Sequence, residues 1–200
     1  MTDKALIIFT RNPELGKCKT RLAKSVGDAE ALKIYKELLQ HTANVVKDVN
    51  AKRFVFYSEN IHKDDIWSSS YFNKRLQIGN DLGERMENAF QELFSEGFKN
   101  VIIVGSDLLD LSKSIIEEAY FKLQDNDAVI GPAEDGGYYL LGMKTLNPNV
   151  FRNKIWGTET VLKNTKKDFM EQSLYTLETL NDIDYVEDLK PHKAFAYLFS

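Results

Sequence analysis

A chain of 200 residues, 43% hydrophobic and 28% charged, has the balance of a folded globular protein and lacks the apolar depletion that marks disorder. Its length suits one domain over residues 1–200, able to bury a core without metals or cross-links. The formal net charge of −4 argues against a general nucleic-acid binder, which needs a basic face to neutralise phosphates.

Apolar bursts of strand length alternate with longer segments of helical period. The bursts "KALIIFT" (4–10), "KRFVFYS" (52–58), "NVIIVGS" (100–106) and "DAVIGP" (127–132) are the strand candidates, and three of them are nearly continuous hydrophobic runs. Strands buried on both faces read this way when helices cover both sides of a mostly parallel sheet. The expected class is therefore α/β, a three-layer α/β/α sandwich.

The opening "MTDKALIIFT" has too short an apolar stretch for an export signal. Cys18 is the only cysteine, so no internal disulfide forms, and no apolar run approaches the ~20 residues that span a bilayer. The expected compartment is the cytoplasm.

Between the first two strands, Leu32, Tyr35, Leu38, Leu39, Thr42, Val45, Val46 and Val49 recur at three- and four-residue steps, one face of a long crossover helix. A second amphipathic segment, "LGERMENAFQELFSEG", stops near Gly97. In "SIIEEAYFKLQ", Ser114 followed by Glu117 has the spacing of a capping box. After "GPAEDGG", the stretch "YYLLGM" predicts a strand, and short helices are expected near 159–166 and 184–190.

Ligands of open α/β sheets bind beyond the carboxyl ends of the strands, and that rule selects four segments. In the first, "RNPELGKCKTRLA", Arg11, Lys17, Lys19 and Arg21 surround a turn at Gly16 that leads towards a helix. A guanidinium fork and movable ammonium groups together suit a diphosphate or triphosphate, although a solvated basic loop has the same composition. The neighbouring cations also favour a lowered pKa at Cys18, which is treated as incidental. Neither a Walker loop nor a G-x-G-x-x-G fingerprint is present.

In the second segment, "IIVGSDLLDL", Gly105 keeps the backbone accessible and Asp107 and Asp110 follow the strand. Hard carboxylates suit Mg²⁺ or Mn²⁺; capping of the next helix explains Asp110 as well, so Asp107 is the preferred ligand. The third, "GPAEDGGYYLLG", sets Glu134 and Asp135 before Gly136 and Gly137, a pattern equally able to form only a turn. The fourth, "LNDIDYVEDL", packs Asp182, Asp184, Glu187 and Asp188 into seven positions. Asp182 or Asp184 completes a metal site, or Asp184 with Glu187 forms a capping box. The histidines, His41, His62 and His192, are scattered, and no catalytic triad or zinc spacing emerges.

Taken together, "NPELGKCKTRLA", "IGNDLGERMENAF", "VIIVGSDLLDL", "VIGPAEDGGYYLLG", "IWGTETVL" and "DIDYVEDL" resemble, in order and spacing, the bacterial "transferase 1" type of glycosyltransferase-A-like nucleotide-diphospho-sugar transferase. That family was once known only as a domain of unknown function, and it includes arsenosugar-biosynthesis glycosyltransferases. A more distant similarity is to molybdopterin-cofactor nucleotidylyltransferases and phospholactate guanylyltransferase, which share the fold and a "KTRL"-like loop.

The resemblance implies nucleotide binding by Gly16, Lys19 and Arg21 and metal binding by Asp107 with Asp184; the residues themselves add Arg11 and Gly105 to the nucleotide side and leave Asp182 as the other metal candidate. Gly136, Gly137 and Trp156 are assigned to the acceptor side, and Glu134 or Asp135 is the expected base towards an acceptor hydroxyl. Leu109, Tyr185 and Val186 depart from the prolines and Thr-Pro pair of related nucleotidyltransferases. The expected activity is a glycosyl transfer from a nucleotide sugar to a small-molecule acceptor with Mg²⁺ or Mn²⁺. The alternatives are nucleotidyl transfer from a nucleoside triphosphate with release of pyrophosphate, and a nucleotide-binding module without chemistry.

Overall fold

The computed structural model describes residues 2–199. Seven strands, β1 (Lys4–Thr10), β2 (Lys52–Tyr57), β3 (Phe72–Leu76), β4 (Asn100–Val104), β5 (Ala128–Pro132), β6 (Tyr138–Met143) and β7 (Leu174–Thr176), form one sheet in the order β3-β2-β1-β4-β6-β5-β7. The β1–β2, β1–β4, β2–β3 and β5–β7 pairs are parallel, and β6 runs antiparallel to both neighbours. The α/β class with a mostly parallel central sheet is thus observed.

The pleat sends alternate residues of each central strand to opposite layers. Leu6, Ile8, Val55, Tyr57, Ile102 and Val104 join a core with helices α1 (Thr20–Val26), α2 (Asp28–Lys47) and α4 (Lys113–Lys122). Ala5, Ile7, Phe54, Phe56, Val101 and Ile103 face the other way, against Met86, Phe90 and Leu93 of α3 (Leu82–Ser95). Leu162 of α5 (Val161–Lys167) packs at the edge of that second core. Each buried aliphatic side chain contributes about 1.5–3 kcal/mol, which is why the two-sided hydrophobic runs mark the centre of the sheet. Among the described residues, no helix is long and apolar enough to cross a membrane.

Local signals shift some boundaries. The cap of α4 is Ser112, whose hydroxyl accepts from the Ile115 amide at 3.3 Å, and not Ser114. Glu117 lies one turn along the helix, 3.4 Å from Lys113, and does not close a capping box. Near the C-terminus a single 3₁₀ turn, Val186–Leu189, stands where a short helix over 184–190 is expected. Asp188, not Glu187, caps it: its Oδ2 accepts from the amides of Asp184 at 3.0 Å and Tyr185 at 2.7 Å. That arrangement leaves the Asp184 carboxylate unoccupied by capping.

Because β1, β2 and β4 run parallel, the loops after them leave from one edge of the sheet. The turn between β5 and β6 returns at the same edge. Residues 177–183 follow alongside through Leu177 to Ile130, Leu180 to Pro132 and Glu134 to Leu180 backbone hydrogen bonds. All four segments of interest therefore meet at one sheet edge.

Candidate functional site

The opening loop is pinned before it reaches its cations. Asn12, buried, donates to the Asn60 carbonyl at 2.7 Å and accepts from the Glu59 and Asn60 amides at 3.0 and 3.3 Å. The Tyr35 hydroxyl accepts from the Arg11 amide at 3.0 Å and lies 3.2 Å from the Arg11 carbonyl. Gly16 turns the chain with φ +73°, a conformation that glycine adopts without steric cost. The Lys17 ammonium is engaged locally by Glu14 at 2.7 Å.

Lys19 takes the left-handed conformation, φ 49° and ψ 46°, just before α1. For a non-glycine residue this costs roughly 1–2 kcal/mol. It directs a side chain only 5% exposed into the sheet edge, where Nζ lies 2.7 Å from Asp107 Oδ2 and 3.2 Å from Asp184 Oδ1. Arg21, two residues on and half-exposed, donates to Asp184 Oδ2 at 2.7 Å and lies over the Tyr185 ring. Burial alone lowers the Lys19 pKa, but the two carboxylates outweigh it and hold the ammonium well above its ordinary value.

The carboxylates converge because their backbones are joined. Asp107 leaves β4 two residues after Gly105, where a Cβ would stand 3.2 Å from Asp107 Oδ1, so the missing side chain makes room for the carboxylate. The Ile183 amide donates to the Asp107 carbonyl at 3.3 Å and brings the closing segment alongside. Asp182 is partly buried beside them. Burial, and then the negative charges of Asp107, Asp135 and Asp184, push its carboxyl up to about 6.

Among the described residues, no group of three or more histidine, cysteine, aspartate or glutamate side chains is arranged to hold a metal ion. Asp107 and Asp184 nevertheless present oxygens to one common point, the position of Lys19 Nζ. A divalent ion that arrives with a phosphorylated ligand takes only one or two protein carboxylates, the rest of its shell being phosphate and water. The donor set fits such an ion, with an ammonium as its competitor; Asp182 makes no contact with that ammonium.

On the neighbouring turn, Asp135 Oδ1 accepts from the Gly137 amide at 2.7 Å, the turn-forming role weighed for it. Its charge still reaches Arg21 and Asp182. Glu134 and Asp135 are both exposed. Gly136, at φ +86°, lies so close to the 156–160 loop that a Cβ would be 2.5 Å from Glu159 Cα and O. Trp156 packs edge-on to Tyr138 and against Gly83 of α3. It borders a polar cleft of about 560 Å³ with Asp81, Glu84, Glu87, Asn88 and Arg152. A second, apolar cleft lies between α2 and Ile66–Trp67, with Arg11 at its rim. Neither cleft includes Asp107 or Asp184.

The structure changes two further expectations. Cys18 is buried and burial raises its pKa, outweighing the adjacent cations that the sequence suggested would lower it. Asp110 is not the cap of α4, since Ser112 performs that task. Asn12 and Tyr35, which fix the opening loop, gave no signal of their own in the sequence: one is a turn-type residue and the other part of an apolar helix stripe.

The model of a family described as an uncharacterised protein conserved in bacteria (DUF2064) matches residues 41–158. A solved structure from Desulfovibrio desulfuricans G20 shares 31% identity at a TM-score of 0.88, covering 98% of this chain and 90% of that one. Its own assignment as a nucleotide-diphospho-sugar transferase is provisional. A cytidylyltransferase from Leptospira borgpetersenii shares 12% identity at a TM-score of 0.63, over 100% of this chain and 89% of that one. The 4-diphosphocytidyl-2C-methyl-D-erythritol synthase of Anaerococcus prevotii also shares 12% at 0.63, over 100% and 97%. These last two show a common fold. No curated protein matches the sequence.

Proposed function

The chain belongs to the bacterial DUF2064 family, and from that premise we propose that it is a metal-dependent transferase using a nucleotide-activated donor, a glycosyltransferase acting with a nucleotide sugar. The observation that carries this reading is the convergence of Lys19 and Arg21 with Asp107 and Asp184 at one sheet edge. The similarity to the Desulfovibrio protein supports the same donor class.

In this reading Lys19, Arg21 and Arg11 bind the diphosphate, with Gly16 and Gly105 allowing the donor close to the backbone. Mg²⁺ or Mn²⁺ held by Asp107 and Asp184 would neutralise charge on the departing diphosphate. Asp135, whose charge is felt at Arg21 and Asp182, or Glu134 would serve as base for the acceptor hydroxyl. Gly136, Gly137 and Trp156 form the acceptor side, where the polar cleft beside Trp156 suits a hydroxyl-bearing small molecule. The transferase 1 and arsenosugar affinities of the motifs belong to this proposal.

Nucleotidyl transfer is the second reading, favoured by the fold shared with cytidylyltransferases. The products separate the two. Incubation with nucleotide sugars and an acceptor panel is expected to release nucleoside diphosphate, and Asp107→Ala to abolish it. Pyrophosphate released from a nucleoside triphosphate would replace the first reading by the second.

A further inference from the structure

The charge arrangement around Lys19 goes beyond a phosphate-binding role. Its ammonium is enclosed, 5% exposed, at the one point that both Asp107 Oδ2 and Asp184 Oδ1 face. A divalent ion at coordination distance from the same oxygens, about 2.0–2.1 Å for Mg²⁺, cannot share that point with an ammonium 2.7 Å and 3.2 Å from them. We propose that Lys19 is a built-in occupant of the metal position, which the divalent ion displaces, so that ion and ammonium compete for Asp107 and Asp184. The inference rests on the metal-dependent reading given above.

Charge and geometry both support exchange over simple addition. With Lys19 and Arg21 in place, two cations already face Asp107 and Asp184, and a divalent ion added beside the ammonium would meet a like charge at the same oxygens. If the ammonium leaves, the ion replaces it on the carboxylates and the freed Lys19 is available to the phosphates of the incoming donor. The flexible four-carbon stem permits that movement, while the 2.7 Å Arg21 contact holds Asp184 in position from its other oxygen.

The test is Mn²⁺ binding without nucleotide, measured from the paramagnetic resonance of the free ion. Lys19→Met is expected to bind Mn²⁺ at least tenfold more tightly than the wild type, and the gain to vanish in a Lys19→Met/Asp107→Asn double variant. Equal or weaker binding by Lys19→Met overturns the exchange. If the wild type still binds Mn²⁺ in the presence of uridine diphosphate, the metal-dependent reading survives that result. If neither protein binds Mn²⁺ with or without the diphosphate, both fall. A second measurement needs no variant: reductive methylation of the wild type, read by mass spectrometry. Lys19 is expected to be protected in the metal-free protein and to become reactive with saturating Mn²⁺; unchanged protection also overturns the proposal.

Discussion

Lys19 and Asp107, 88 residues apart in sequence, meet through a 2.7 Å contact between Nζ and Oδ2. This contact ties the loop after β1 to the loop after β4, and Asp184 joins it from a third segment. The site is thus assembled by the order of strands in the sheet, since β1 and β4 are parallel neighbours. Helix capping consumes Ser112 and Asp188, leaving these carboxylates to the cations.

Arg21 separates binding from stability. Its guanidinium is 49% exposed, and an ion pair of that kind contributes at most about 1 kcal/mol. Arg21→Ala is expected to lower the melting temperature little and to weaken nucleotide-donor affinity tenfold or more, as measured by titration calorimetry. A large loss of stability with unchanged affinity would make Arg21 a structural residue.

Asn12 is expected to matter through the loop that it holds. Asn12→Ala removes the donor to the Asn60 carbonyl and the acceptor for two amides. The cost is about 2–3 kcal/mol from the lost bonds and the buried groups left unpaired. Denaturant unfolding measures that cost, and amide exchange should show weaker protection at Glu59 and Asn60.

Gly136 and Gly157 form a matched pair. Both have positive φ, +86° and +78°, but a Cβ at Gly136 meets Glu159 backbone at 2.5 Å while one at Gly157 meets nothing within 4 Å. Gly157→Ala should cost about 1 kcal/mol of backbone strain. Gly136→Ala should cost roughly twice that or more and displace the Trp156 loop, visible as a change in tryptophan fluorescence.

Asp182 gives the metal-free protein a pH-dependent stability. Its carboxyl is pushed up to about 6 in the fold from an ordinary value of 3.8. Between those values the folded state keeps a proton that the unfolded chain has lost. The contribution therefore favours folding at low pH and is lost as pH rises through about 6. Asp182→Asn should stabilise the protein at pH 7.5 by about 1–2 kcal/mol, discounted for solvent screening, and the difference should shrink as pH falls towards 4. A difference independent of pH would contradict this assignment.

The central strands were legible because β1, β4 and β5 are buried on both faces and read as unbroken apolar runs. β3 and β7 were not. β3 is a polar edge strand whose Arg75 pairs with Glu92 of α3 and with Glu96 just past its end, and β7 has only three residues, none of them fully buried. At the site, the loops after the strands made Lys19, Arg21, Asp107 and one of Asp182 and Asp184 candidates, and the structure brings Lys19 and Arg21 to Asp107 and Asp184. Their pairing depends on the left-handed backbone at Lys19 and on the Ile183 to Asp107 hydrogen bond, neither of which has a periodic signature. Cys18 shows the same limit: its charged neighbours were visible in the sequence, but the burial that governs it was not.

The central claim is that this sheet edge binds a nucleotide donor, and the most direct measurement is the thermal shift of the wild type and Asp107→Ala with Mn²⁺ and a panel of nucleotide sugars and nucleoside triphosphates. A ligand at about 100 times its Kd stabilises the folded state by about 2.7 kcal/mol, or roughly 5–10 °C for a chain of this size. The account predicts a shift of that order for the wild type, chiefly with nucleotide sugars, and its loss in Asp107→Ala. No shift with any nucleotide, or an equal shift in both proteins, would contradict it.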